Sequence, residues 1–76
     1  MKQIAYVKAY AVGHQHVVAK YKAHSVSVPI HSHAIYGTRG WMIAAFEACV
    51  AAYRVLQTNH LREYDCVLSI DMEVTK

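Results

Sequence analysis

The stretch HVVAKYKA at 16–23, followed by SVSVPI at 25–30, decides the fold of this 76-residue chain. Apolar and polar residues alternate through both segments, so Val17 points to one side of its segment and Lys20 to the other. Such period-two alternation is typical of strands with one buried face. The two segments therefore predict a β-hairpin, and Pro29 predicts that its second strand lies at a sheet edge, because proline cannot donate to a neighbouring strand.

Two further strands and one helix complete the predicted fold. The segments 2–12 and 64–74 are rich in β-forming residues. The segment 37–59 has helical periodicity, with Thr38 at a position that favours an N-cap. The sequence thus predicts the α+β class: one domain over 1–76, with a four-stranded sheet in the order β-β-β-α-β and one helix packed on one face.

The same periodicities predict which residues are buried. On the first strand the small residues are placed inward, because the opposite face would bury Lys8 without a partner. The predicted inward residues are Ala5, Val7, Ala9 and Ala11 on the first strand, Met42, Ala45, Phe46, Cys49, Tyr53 and Leu56 on the helix, and Cys66, Leu68, Ile70, Met72 and Val74 on the last strand.

Composition excludes several classes of protein. The chain is 55% hydrophobic with one proline and three glycines, which is typical of a globular domain rather than a disordered one. The longest apolar stretch, 41–53, is interrupted by Glu47 and is too short to span a bilayer, so we expect no membrane partner. Cys49 and Cys66 favour reduced thiols in a cytoplasmic protein. The net charge of +3 is compatible with an acidic partner, and every acidic residue lies within 47–73.

Four of the six histidines lie in two clusters, GHQH at 13–16 and HSH at 31–33. A tight turn at residues 23 and 24 would bring the two clusters together on one end of the hairpin. The predicted pairs are His16 with His31 and His14 with His33. Neutral imidazoles bind zinc, nickel or copper, so a His-rich metal site is one alternative. A flat sheet rarely aims four ligands at one point, however, and we expect a contact patch with no tightly bound metal.

Nucleophile and base residue types are present, but their placement does not favour catalysis. Both cysteines are predicted to point inward, where a thiol is unreactive. The segment GTRG at 37–40 lies at the helix N-terminus but lacks the lysine and spacing of a phosphate loop. We therefore expect a protein that is not an enzyme and has no cofactor.

The order of elements, the threonine at the helix entry and VLSID in the last strand resemble the first half of a ribonuclease H domain. The resemblance implies metal-binding carboxylates on the first strand, in the first helical turn and at the end of the following strand. Asp71 matches the last of these. The first position falls near Lys8 or Ala9 and the second near Ile43, while Glu47 lies one turn too late. The resemblance thus implies the fold, in truncated form, without the two-metal chemistry.

The polar side of the predicted sheet carries tyrosines and lysines, and we expect it to bind a macromolecule together with the neighbouring loop. Size and layout are similar to small phage proteins that inhibit host proteins, so the predicted partner is a host protein or protein–nucleic-acid complex. The predicted partner-binding residues are Tyr6, Lys8, Tyr10, His16, Lys20, Lys22, His31, Tyr36 and Arg39.

Two further interactions follow from the same surface features. Tyrosines interleaved with lysines are typical of single-stranded nucleic-acid binders, so a nucleic acid is the second predicted partner. Asp65, Asp71 and Glu73 are predicted to face outward and would repel phosphates. A homodimer is expected at micromolar concentration, through the thinly charged helix side around Ala44 and Ala51 or through strand pairing at the sheet edge.

Overall fold

The computed structural model describes residues 3–72 and contains a four-stranded sheet with one helix on one face. In chain order the elements are β1 (Ile4–Val12), β2 (His16–Tyr21), β3 (His24–Pro29), α1 (Arg39–His60) and β4 (Asp65–Asp71). The strand order across the sheet is β3-β2-β1-β4, with β1–β2 and β2–β3 antiparallel and β4 parallel to β1. The predicted α+β class and the edge position of β3 are confirmed. The predicted outward Glu73 and inward Val74 lie outside the described residues.

The core forms between the inner face of the sheet and one side of the helix. Alternate residues of β1, among them Val7 and Ala9, are fully buried, as are Val17 and Ala19 on β2. Period-two alternation therefore predicted the sides of these strands correctly. The helix contributes mainly small residues to the core, which allows it to lie close to the sheet. The buried helix residues are Trp41, Ala45, Ala48, Cys49, Ala52 and Leu56.

The helix begins at Arg39, two residues after the start of the predicted segment 37–59, and the predicted N-cap Thr38 is confirmed. The Thr38 Oγ1 accepts a hydrogen bond from the backbone N–H of Trp41 at 3.5 Å. Gly37, directly before it, has a φ of 85°, a conformation that favours glycine. The helix ends at His60, where the N–H of Leu61 donates to the carbonyl of Gln57 at 3.0 Å.

The helix is rotated relative to the predicted orientation. Met42 and Phe46, predicted to be buried, are 38% and 52% exposed, whereas Trp41 is only 2% exposed. The Trp41 indole N–H donates to the backbone carbonyl of His14 at 3.0 Å, which anchors the start of the helix to the β1–β2 loop. Trp41 is the better core residue because its polar group has a partner inside the fold.

The β2–β3 hairpin has a register two residues away from the predicted one. Tyr21 pairs with His24, so the turn consists of Lys22 and Ala23 rather than Ala23 and His24. Lys22 adopts a φ of 51°, a left-handed conformation that tight two-residue hairpin turns require. A shift of two residues leaves every side chain on its predicted face of the sheet but changes its cross-strand neighbours.

The helix lies over β2 and β3 and contacts β1 less and β4 least. The inner residues of β4, such as Leu68 and Ile70, are consequently only half-buried. The opposite face of the sheet is not covered by any element among residues 3–72. No helix in this part of the chain is long and apolar enough to cross a membrane.

Candidate functional site

The uncovered face of the sheet, called here the outer face, carries the even-numbered residues of β1 and β2 side by side. Lys8 lies directly opposite Lys20, and Tyr10 lies opposite Val18. Tyr6 is 68% exposed on this face. Together these side chains surround a shallow depression of about 330 Å³. Its lining residues are Tyr6, Lys8, Tyr10, Lys20, Tyr21 and Lys22.

Five of these six residues are predicted binding residues, and the structure brings them together. The sixth, Tyr21, lies an even number of residues from the inward Val17, so strand alternation predicts that it points inward only. It is half-buried at the end of β2, with the ammonium group of Lys22 5.4 Å from its ring centroid and the Tyr64 ring 6.1 Å away in an edge arrangement. Tyr21 both contacts the core and lines the depression. The sequence feature that could have indicated this is its position at the end of β2, next to the turn.

The depression is electrostatically unfavourable in the free protein. Lys8 and Lys20 are directly opposed across β1 and β2, and their other cross-strand neighbours are Ser69 and Ser25, neither of which carries a charge. Like charges in directly opposed positions destabilise a sheet. An anionic group bound between the two lysines would remove this repulsion.

Acidic residues border the depression on the β4 side. Asp71 pairs with Tyr10, and Asp65 pairs with Ile4 at the other end of the strand. A second depression of about 330 Å³ is lined by Lys8, Tyr10, Ser69, Ile70 and Asp71. The outer face is thus basic along β2 and acidic along β4, with the tyrosines of β1 between them.

The four clustered histidines do not form the predicted pairs. His16 lies opposite Pro29, not His31, and both His31 and His33 lie in the segment after β3 rather than on a strand. The physical reason is that the turn lies one residue earlier than predicted, at Lys22 and Ala23, which shifts every cross-strand pair by two residues. Among the described residues, no group of three or more His, Cys, Asp or Glu side chains is placed to bind a metal ion.

The histidines instead make separate aromatic contacts. The His14 ring stacks on Tyr36 with ring centroids 4.2 Å apart. At the other end of the molecule, His24 stacks on His60 at 4.0 Å, which joins the start of β3 to the last residue of the helix. His16 and His31 are exposed and lie outside the depression.

The two predicted loop residues lie at the helix entry and not on the outer face. Tyr36 is half-buried between His14 and Trp41, with its ring centroid 4.6 Å from that of Trp41. Arg39 is exposed in the first helical turn, while Ile35 is 78% exposed in the loop before it. The predicted site therefore separates into the outer face and a second region at the helix N-terminus.

Both cysteines are free thiols, Cys49 buried on the helix and Cys66 half-buried on β4. Burial raises the pKa of the Cys49 thiol, which keeps it protonated and unreactive at neutral pH. Burial and then the neighbouring Cys66 raise the pKa of Tyr53. Neither thiol lines the outer-face depression.

The positions that the ribonuclease H-like resemblance singles out carry a mixed set of side chains. Asp71 is exposed at the end of β4, and Lys8, in the first-strand position, lines the same small depression. Ile43 is exposed on the helix, which covers the opposite face of the sheet. Comparisons with family models, with curated proteins and with solved structures find no match for this chain.

Proposed function

We propose that this protein is a non-enzymatic binding protein that holds a macromolecular partner on the outer face of its sheet. The observation that carries the proposal is the depression in which three lysines and three tyrosines meet. Exposed aromatic rings supply large contact areas that lose little side-chain entropy on binding. The opposed pair Lys8 and Lys20 supplies a charge that an acidic partner would neutralise.

A protein is the partner that the charge distribution supports best. Asp71 flanks Tyr10 directly, so a phosphate backbone that crossed β1 towards β4 would meet a carboxylate. A protein surface can present an acidic group to Lys20 and a basic group to Asp71 at the same time. Single-stranded nucleic acid remains the second candidate, because tyrosines and lysines alternate along β1 and β2.

The more specific predictions rest on size and layout. They are a phage-type inhibitor acting in the cytoplasm on a host defence or nucleic-acid-processing protein, and a ribonuclease H-like fold without catalysis. The absence of activity is supported by Lys8 and Ile43, which occupy two of the three positions where that fold would need carboxylates.

The test is an affinity pull-down from a bacterial lysate, with and without nuclease, using matched charge variants. Lys20→Glu reverses the charge in the depression, and Arg62→Glu makes the same change at an exposed position outside it. We expect one protein to bind the wild type and Arg62→Glu but not Lys20→Glu, irrespective of nuclease. Once that protein is identified, Tyr6→Ala should weaken its binding by about 2 kcal/mol.

Two results would decide against the proposal. Equal recovery of the same protein by wild type and by the combined Tyr6, Tyr10, Lys20 and Lys22 alanine variant would exclude the outer face. Recovery that nuclease abolishes would favour the nucleic-acid candidate. In that case Lys20→Ala should reduce the salt dependence of oligonucleotide binding by about one unit of slope.

A further inference from the structure

A second apolar surface lies on the helix, on the other side of the molecule from the outer face. Ile43 and Phe46 are each 52% exposed and Met42 is 38% exposed, although all three are large and apolar. With Met72 they line a groove of about 680 Å³, called here the helix groove. The charged residues at its border are Arg39 and Glu47.

The groove exists because the helix is off-centre on the sheet. The helix lies over β2 and β3, so no element within residues 3–72 packs on its side towards β4, and Met72 is only half-buried there. Adjoining exposed apolar residues of this size are unusual on an isolated domain and mark interaction surfaces. Such a surface needs an occupant that is apolar at its centre and charged at its border.

We propose that the occupant is a second copy of this chain, packed helix against helix in antiparallel orientation around a two-fold axis at Ile43. Arg39 and Glu47 lie four residues on either side of Ile43. In that arrangement Arg39 of each copy therefore faces Glu47 of the other, and two symmetric ion pairs form. An isologous interface requires a surface that complements itself, and this one does.

The competing ways of pairing two copies are disfavoured by charge and by backbone chemistry. Antiparallel pairing of two β4 edges centred on Leu68 would place Asp65 opposite Asp71 twice, since each lies three residues from the centre. The other edge, β3, ends in Pro29, which lacks an N–H group for pairing. The helix side around Ala44 and Ala51, predicted from the sequence to form the dimer contact, is also less suitable, because Ala44 is half-buried against the core.

The experiment is sedimentation velocity on the 76-residue chain from about 1 µM to 1 mM. The apolar contact is small, so we expect a dissociation constant on the order of 10–100 µM. Glu47→Arg, or Arg39→Glu alone, turns two attractions into two repulsions and should weaken the dimer about tenfold. The double variant Arg39→Glu with Glu47→Arg should restore it.

Ile43→Asp places two carboxylates at the axis and should weaken the dimer at least about 100-fold. Val55→Asp is its matched control, an equally apolar residue 44% exposed outside the groove, and should dimerise like wild type. Circular dichroism of each variant is the control for folding and should match that of the wild type. A monomeric wild type at 1 mM overturns the proposal, as does a dimer that survives Ile43→Asp or one that the double variant fails to restore. Lys20→Glu should leave the dimer unchanged, which separates this result from the test of the outer face.

Discussion

Reversing the charge of Lys20 should stabilise the free protein while it removes the proposed binding. Lys20 lies directly opposite Lys8 in the register of β1 and β2, with both side chains exposed on the outer face. Cβ atoms of such pairs are about 5 Å apart. With ammonium groups at roughly 7 Å in water, the repulsion is about 0.6 kcal/mol, and about half of it survives at 0.15 M salt.

Lys20→Glu converts this repulsion into an attraction of similar size. The free energy of unfolding should therefore rise by about 1 kcal/mol at 10 mM salt, which corresponds to an increase in Tm of roughly 4–8 °C for a domain of this size. Lys22, two residues further along the chain, acts in the same direction. At 1 M salt the gain should fall below about 0.3 kcal/mol because the Debye length is then only about 3 Å.

The assay is urea unfolding followed by circular dichroism, arranged as a double-mutant cycle. Lys8→Glu alone should also stabilise, whereas the double variant restores a pair of like charges. The coupling between the two positions should be about 2 kcal/mol at low salt. Lys20→Gln is the control for loss of the charge alone and should give about half of the gain. A coupling near zero, or a change in stability that does not depend on salt, would refute the reasoning.

Three further changes test other parts of the structure. Trp41→Phe removes the hydrogen bond to the His14 carbonyl and should lower the free energy of unfolding by about 1–2 kcal/mol, measured by urea unfolding against the wild type. Lys22→Gly relieves the positive φ of the turn and should raise Tm, with a net gain of about 0.5–1 kcal/mol; a loss of stability would contradict this account of the turn. Burial raises the pKa of Cys49, so the folded protein holds this proton more tightly than the unfolded chain. Stability should therefore be complete below the ordinary thiol pKa of about 8.5 and fall as pH rises above it. In Cys49→Ala that fall should be smaller, and an equal fall would contradict the assignment.

The sequence predicts the faces of the strands well because a side-chain period of two is directly visible. It cannot predict the β2–β3 register in the same way, because a shift of two residues preserves every face. The two-residue turn decided that register, and the non-glycine residue Lys22 at a positive φ gives no turn signal in the sequence. The predicted pairing of His16 with His31 was wrong because of this shift and because β3 ends at Pro29.

The predicted rotation of the helix was wrong for a different reason. The predicted stripe includes the large apolar residues Met42 and Phe46, yet the close approach of helix and sheet requires small residues, and it buries Ala48 and Ala52 instead. The prediction placed the outer-face residues on the correct side of the sheet, because it depended only on the alternation of side chains along β1 and β2. The half-buried position of Tyr36 depends on its contact with Trp41, a residue that the predicted helix stripe does not include.

Site-specific photo-crosslinking tests the central claim most directly, because it reports contact without requiring that the partner be known. A benzophenone amino acid replaces Tyr6 on the outer face or, as control, the exposed Val55 on the helix. After irradiation in a bacterial lysate, the probe at position 6 should give a discrete protein adduct that resists nuclease, and the probe at position 55 should give none. No adduct at position 6, or the same adduct at both positions, would contradict binding through the outer face.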